Sequence, residues 1–284
     1  MQIFFLDEKY YLLVRSKSIF LSINTAIFPK GFFMIIVKYK AEVKKYFSKV
    51  KWQDEKIKRF WYEDEPIVTH FMNAISIAIP ETERFLVRSV KPYSHLLTKE
   101  LDIFINDENE HSLQHTRFNK VLKTQNYPVN FGLKFTKFGF SCIYKLFSKK
   151  TQLAMAVCFE HMTAVIANYG FEYEVMLEDV SKIYDLFIWH AFEELNHRSV
   201  VNDVYVEIGG GYVRRVLCML YVTFFFIVGV VVIQARFILS DLFNCRGIKM
   251  KHWWYALKFF FGRKGMVFGS LKYYLPIFKF KYIP

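Results

Sequence analysis

Two Glu-x-x-His pairs, Glu108–His111 and Glu194–His197, are the residues best placed to do chemistry. A spacing of three puts both side chains on one face of a helix, near enough to hold one ion. Each pair interrupts an apolar stripe. The first runs Leu101, Phe104, Glu108, His111, His115, Phe118, and the second Phe187, His190, Glu194, His197, Val201, Val204. Ionisable groups at core positions are costly unless they are paired or bound to metal. Two more glutamates break apolar runs in the same manner. Glu83 lies between Ile79 and Leu86, and Glu160 follows Leu153 and Val157 and precedes Ala164.

Glu83, Glu108, His111, Glu160, Glu194 and His197 therefore form a candidate ligand set for two metal ions. A Glu from each of two helices plus Glu-x-x-His from each of two others is the pattern of ferritin-like di-iron and di-manganese carboxylate bundles. Four carboxylates balance two divalent cations, so the filled site is near neutral and can be buried. The empty set would hold close anions, each pair repelling by about 4 kcal/mol at an effective dielectric near 20. Carboxylate and imidazole donors without thiolate suit iron first and manganese second. His115 and His190 extend the two stripes and are expected as additional ligands or as supports behind the ligands. Glu110 and Glu193 fall off the stripes, where solvent-facing or supporting roles are expected. Asp203 is also off the stripe.

Other catalytic patterns are missing. His111 and His115 have the spacing of H-E-x-x-H, but Ser112 stands where the glutamate belongs. There is no glycine-rich phosphate loop and no G-x-S-x-G elbow. Cys142, Cys158, Cys218 and Cys245 form no C-x-x-C pair and sit among apolar residues, as reduced thiols of a cytosolic-facing core would.

The elements that must position these groups are read as helices throughout, an all-α fold. Periodicity predicts a helix over 65–79, a new helix opened by Pro80 over 80–90, and a long helix over 95–122. Residues 123–147, with Gly132 and Gly139, read as a connection. Helices follow over 149–168 and 179–207, the latter closed by the glycines at 209–211. Residues 39–62 read as a helix or ordered loop. The expected organisation is a leader over 1–33, a di-metal helical bundle over 34–212, an additional hydrophobic helix over 213–240, and a basic aromatic tail over 241–284.

The hydrophobic helix points toward a membrane. Val216 to Ala235 carries no charge, and twenty such residues can cross the hydrocarbon core. The alternative is a fully buried core helix. From Arg246 to Lys281 there are nine Lys or Arg and no Asp or Glu, interleaved with Trp253, Trp254, Phe259 and Tyr273. Basic and aromatic side chains together suit the water–lipid interface. No nucleic-acid motif accompanies them, so nucleic acid is not an expected partner. We expect association with the cytoplasmic side of the inner membrane, or a cytoplasmic protein, and a small, lipophilic substrate.

Four stretches carry a resemblance: NAISIAIPETERF (73–85), FINDENEHSLQHTRFN (104–119), FEHMTA (159–164) and WHAFEELNHRSVVND (189–203). They resemble a bacterial family called predicted metal-dependent hydrolases, over roughly residues 34–245. The match includes the six proposed ligands, His115 and His190; the glycine usual before the first glutamate is Thr82 here. The motif pattern is also similar to ferritin-like di-iron oxidases and oxygenases, including arylamine N-oxygenases with an additional histidine. The resemblance implies either dioxygen chemistry, with Glu108 and Glu194 shared between ions and Glu83 and Glu160 terminal, or metal-dependent hydrolysis. A metal-binding, membrane-associated protein without catalysis is the third expectation.

Overall fold

The computed structural model describes residues 2–5, 11–15, 18–22, 52, 56–96, 98–173, 175, 182–244 and 246–284. Three short strands come first: β1 (Gln2–Phe5), β2 (Tyr11–Arg15) and β3 (Ser18–Ser22), antiparallel in the order β1-β2-β3. The rest of the expected leader, and most of the expected element over 39–62, lie outside the described residues.

Among the described residues, the regular elements that follow are all helical. The elements are α1 (Pro66–Val90), α2 (Thr98–Thr124), α3 (Val129–Leu146), α4 (Lys149–Glu172), α5 (Lys182–Glu207), α6 (Tyr212–Phe243), α7 (Met250–Phe261) and α8 (Met266–Tyr274). α1, α2, α4 and α5 form a four-helix bundle, with α1 against α2 and α4, and α5 against α4 and α2. A second layer covers the α1–α4 side. α6 lies along both helices, α3 flanks α1, α7 touches α1, and α8 packs on α4.

Two sequence expectations are corrected. Pro80 does not open a helix; it lies inside the continuous α1. A proline lacks the N–H that would bond the carbonyl four residues earlier. That carbonyl, Ser76 O, is buried, and Asn119 Nδ2 of α2 donates to it at 3.0 Å. The broken helix bond is thus replaced across the bundle, which lets α1 run on. Residues 123–147 are not merely a connection, since α3 occupies most of them. Its glycines mark close packing rather than a loop. A Cβ on Gly132 would sit 2.8 Å from Ile77 Cγ2, so only glycine lets α3 approach α1 this closely.

The helix ends follow local chemistry. Ser148 caps α4 by accepting from the Thr151 N–H at 3.3 Å. Gly209, just beyond α5, takes φ +69°, which a residue with a Cβ rarely adopts. Along the bundle two apolar clusters are stacked, one around Phe118, Phe187 and Ile79, the other around Phe85, Phe104, Leu153 and Val201. Each fully buried Phe contributes roughly 1.5–3 kcal/mol. The layer between the clusters is polar, and it carries the residues singled out from the sequence.

Candidate metal centre

α1 supplies Glu83, α2 supplies Glu108, His111 and His115, α4 supplies Glu160, and α5 supplies His190, Glu194 and His197. All are buried, none more than 5% exposed. The fold brings donor atoms together in two sets. Glu83, His111, His190 and Glu194 form one, and Glu108, His111, Glu194 and His197 form the other. Within each set the donor atoms lie within 4.8 Å of one another. His111 and Glu194 belong to both. Glu160 belongs to neither set, although it is fully buried and feels the charges of Glu194 and Glu108.

The pairings run between helices. His197 Nδ1 lies 2.6 Å from Glu108 Oε1, and His190 Nε2 lies 3.0 Å from Glu194 Oε1 and 3.5 Å from Glu83 Oε1. His111 Nδ1 faces Glu194 at 3.5 Å and Glu108 at 3.7 Å. Thr163 Oγ1 of α4 donates to the other oxygen of Glu194.

The outer nitrogens of the two Glu-x-x-His histidines are held reciprocally. His111 Nε2, on α2, bonds Glu193 Oε2 of α5 at 2.8 Å. His197 Nε2, on α5, bonds Asp107 Oδ2 of α2 at 3.4 Å. In each case the holding acid directly precedes the glutamate of the opposite motif. Such a bond fixes the ring and leaves Nδ1 turned inward as a donor. Stripe analysis had put Glu193 off the core face without giving it this partner, and it missed Asp107 altogether. The available signal was the acid doublet, Asp107–Glu108 and Glu193–Glu194, one ahead of each histidine. Glu110 is bonded by Gln114 Nε2 at 2.6 Å on the rim of α2, and Asp203 is exposed.

A second chain of bonds sets the protons on His115 and His190. Asn119 Nδ2 donates to Ser76 O, so Asn119 Oδ1 accepts from Ser76 Oγ at 3.0 Å. With its proton so used, Ser76 Oγ accepts from His115 Nδ1 at 2.9 Å. His115 Nε2 then accepts from His190 Nδ1 at 3.0 Å. Burial and the neighbouring His111 hold His190 below its ordinary pKa, so the ring is neutral at pH 7. Its one proton is on Nδ1. The Nε2 lone pair therefore faces carboxylate oxygens of Glu83 and Glu194. Lone pair against anion is repulsive unless a cation lies between them.

The donors fit divalent metal on one further observation. Glu83 Oε2, both oxygens of Glu108 and of Glu160, and Nδ1 of His111 and of His197 are buried without an aligned hydrogen bond. Buried polar atoms of folded proteins are nearly always satisfied. The metal-free electrostatics respond by moving protons. Burial alone would lower His111, but Glu108 and Glu193 raise it to about 9. His197 is also raised, as Glu108 and Asp107 outweigh burial. Burial would raise Glu108 and Glu194, but the surrounding histidines hold both below the usual carboxylate range. Glu160 goes the other way. Burial and the charges of Glu194 and Glu108 push it well above the ordinary glutamate value, which favours its protonated form. His115 is driven well down by burial and by His190.

A family model described as predicted metal-dependent hydrolase matches residues 47–284. The chain belongs to that family. No curated protein and no solved structure matches the chain. Family membership extends the match expected from motifs to the C-terminal end, so α6, α7 and α8 fall within it. A buried Glu/His cluster able to hold divalent metal accords with the family description.

Proposed function

We propose that this protein is a di-metal carboxylate enzyme, with iron as the first candidate and manganese the second, that uses dioxygen as oxidant. The observation that carries this reading is the closed character of the centre. Eight carboxylates and imidazoles, without a thiolate, lie between two apolar clusters and are at most 5% exposed. A small apolar molecule such as dioxygen reaches such a layer far more readily than the scissile bond of an ester. Mixed carboxylate and imidazole donors suit iron and manganese.

The residues have separable tasks. Glu194, common to both sets, is the best placed to serve two ions at once. Glu83 with His190, and Glu108 with His197, supply donors from opposite sides. Asp107 and Glu193 orient the histidines. Glu160 stores a proton beside the centre and becomes a further carboxylate donor once it loses it. When bound, two ferrous ions would supply electrons for dioxygen reduction.

The test is anaerobic loading with ferrous iron, metal analysis, and exposure to air-saturated buffer in a stopped-flow spectrometer. Two irons per chain and a rapid absorbance change are expected. Full loading with no reaction toward dioxygen would remove this reading. The family description supports a second one, in which a metal-activated water cleaves an ester, amide or phosphate. Anaerobic turnover of a model ester, abolished by a chelator, would favour it.

A further inference from the structure

The layer formed by α3, α6, α7 and α8, on the far side of α1 and α4 from the metal centre, differs in composition from the rest of the chain. α3 contains three lysines and no acid, and residues 246–284 contain nine Lys or Arg and no acid. The single acid of α6, Asp241, is buried. Large apolar side chains are exposed on the same layer. Along α6 they fall at steps of four and three: Val213, Leu217, Leu220, Phe224, Ile227 and Val231. α7 adds Trp254 and Phe261, and α8 adds Phe268. Glu63, bonded by Tyr255, and Glu172, bonded by Lys272 and Tyr273, are acids at its edge, and the remaining exposed charges of the layer are cations. An apolar surface with such a basic excess is complementary to an anionic lipid headgroup layer.

The way α6 is held decides how it would meet a bilayer. The helix is long and apolar enough to cross one, and 28% of its most apolar window is buried. Both ends are held by buried polar groups, the start to the C-terminal segment and the end to α1 and the residues before it. Near the start, Arg215 donates to the carbonyls of Ile277 at 3.2 Å and Lys279 at 2.6 Å. Near the end, Asp241 accepts from Arg59 and pairs with His70 at 2.9 Å. These ties are about 39 Å apart along the axis at 1.5 Å per residue. Cys158 Sγ of α4 also donates to Arg215 O at 3.5 Å, so α6 leaves α1 and α4 only by breaking that bond and the Asp241–His70 pair, and α1 and α4 carry the charged centre on their other side.

A cavity of about 210 Å³ opens on this layer between α1, α3 and α6. Phe138 and Phe224, each 69% exposed, stand at its mouth, and Phe140, Phe159 and Phe225 line it. The Thr82 and Thr136 hydroxyls on its wall are turned back to Ala78 O and Gly132 O of their own helices. A dry apolar cavity of about 150 Å³ suffices to bind benzene. This one has room for the end of an acyl chain and two of its wall hydroxyls are already bonded.

We propose that this layer is a monotopic membrane face: it lies flat on an anionic bilayer, α6 in the plane of the headgroups, and takes one lipid acyl chain into the cavity. Neither part rests on the reaction at the metal centre.

The test uses the full chain loaded with metal, floated with phosphatidylcholine vesicles with and without phosphatidylglycerol. Binding to the anionic vesicles, weakened by high salt, is expected. Phe224→Glu with Trp254→Glu should lower partitioning about tenfold or more, equivalent to about 1.4 kcal/mol, while metal content and helicity stay unchanged. Equal binding to neutral vesicles, or no effect of the double variant, would overturn the face. So would a stable dimer that binds no vesicle, because a second copy would then cover the layer. The cavity is tested by titration with cis-parinaric acid. Gly229 lines the cavity and a Cβ there meets nothing within 4 Å, so Gly229→Leu adds bulk at the cavity wall with no clash at its Cβ. It should weaken probe binding about tenfold and leave vesicle binding intact. Unchanged probe affinity would overturn the acyl site.

Discussion

Removing metal should cost this protein a large share of its stability, and the geometry of the centre sets the scale. Seven buried donor atoms on Glu83, Glu108, His111, Glu160 and His197 make no aligned hydrogen bond. Each unmet buried polar group costs about 1–3 kcal/mol, although protonation of His111, His197 and Glu160 relieves part of this in the metal-free state. Metal bound at the centre would meet these atoms directly. At one hundred times the dissociation constant a ligand stabilises by about 2.7 kcal/mol, so two saturated ions contribute roughly 5 kcal/mol. For a chain of this size that moves Tm by roughly 10–20 °C. The assay is differential scanning calorimetry of chelator-stripped protein, before and after anaerobic loading with ferrous or manganous ion. Glu108→Gln is the control. It removes the carboxylate that pairs with His197 and His111, so the stripped variant should be no more stable than stripped wild type, and the metal-dependent rise should also shrink by half or more. Stoichiometric binding with a rise under about 2 °C, or a full rise in Glu108→Gln, would refute the reasoning and place the ions elsewhere.

The pH dependence has a definite sign. His111 and His197 have raised pKa values in the metal-free fold, so their stabilisation is present below their unfolded pKa near 6.5 and is lost as pH rises through the folded value, about 9 for His111. Metal competes with those protons. Apparent affinity should rise from pH 6 to pH 9, with at least one proton released per loaded centre at pH 7, His111 being its first source. Calorimetric titration in two buffers of different ionisation enthalpy measures the number, and fewer than one would contradict the assignment. Asp107→Asn and Glu193→Gln should each lower metal affinity about 10–100-fold through loss of histidine orientation, read by competition with a chromophoric chelator. Wild-type affinity in both would sink that role. Asn119→Ala leaves Ser76 O without its donor and should cost about 1–3 kcal/mol in denaturant unfolding. Pro80→Ala restores the helix N–H, so the penalty of Asn119→Ala should fall in that background. An undiminished penalty would show that the carbonyl is not what Asn119 serves.

Much of the centre could be read from the chain because helical periodicity is local. Steps of three and four placed Glu108 with His111, and Glu194 with His197, on faces otherwise apolar, and the bundle does turn those faces inward. His115 and His190 entered by the same rule. Asp107 and Glu193 escaped it. They sit one residue off the stripe, and their value comes from histidines on the opposite helix. Helix boundaries failed where a local rule met a non-local partner. Pro80 reads as a helix start until Asn119, 39 residues further on, takes the carbonyl that proline leaves free. Gly132 reads as a loop until Ile77 packs where its side chain would be.

Composition and spacing alone determined that the chain is mainly helical, that acids and histidines interrupt core faces, and that residues 246–284 are basic, aromatic and free of acids. These are properties of neighbours along the chain, and side-chain direction on a helix is set within one turn. The assembly of helices decided the rest. It paired Glu108 with His197 and Glu83 with His190, left Glu160 beside both sets, and gave His190 an inward lone pair through Ser76 and Asn119. It also laid α6 across α1 and α4 with both ends tied down. Each of these depends on contacts between residues far apart in sequence, and no single helix contains the information that specifies them.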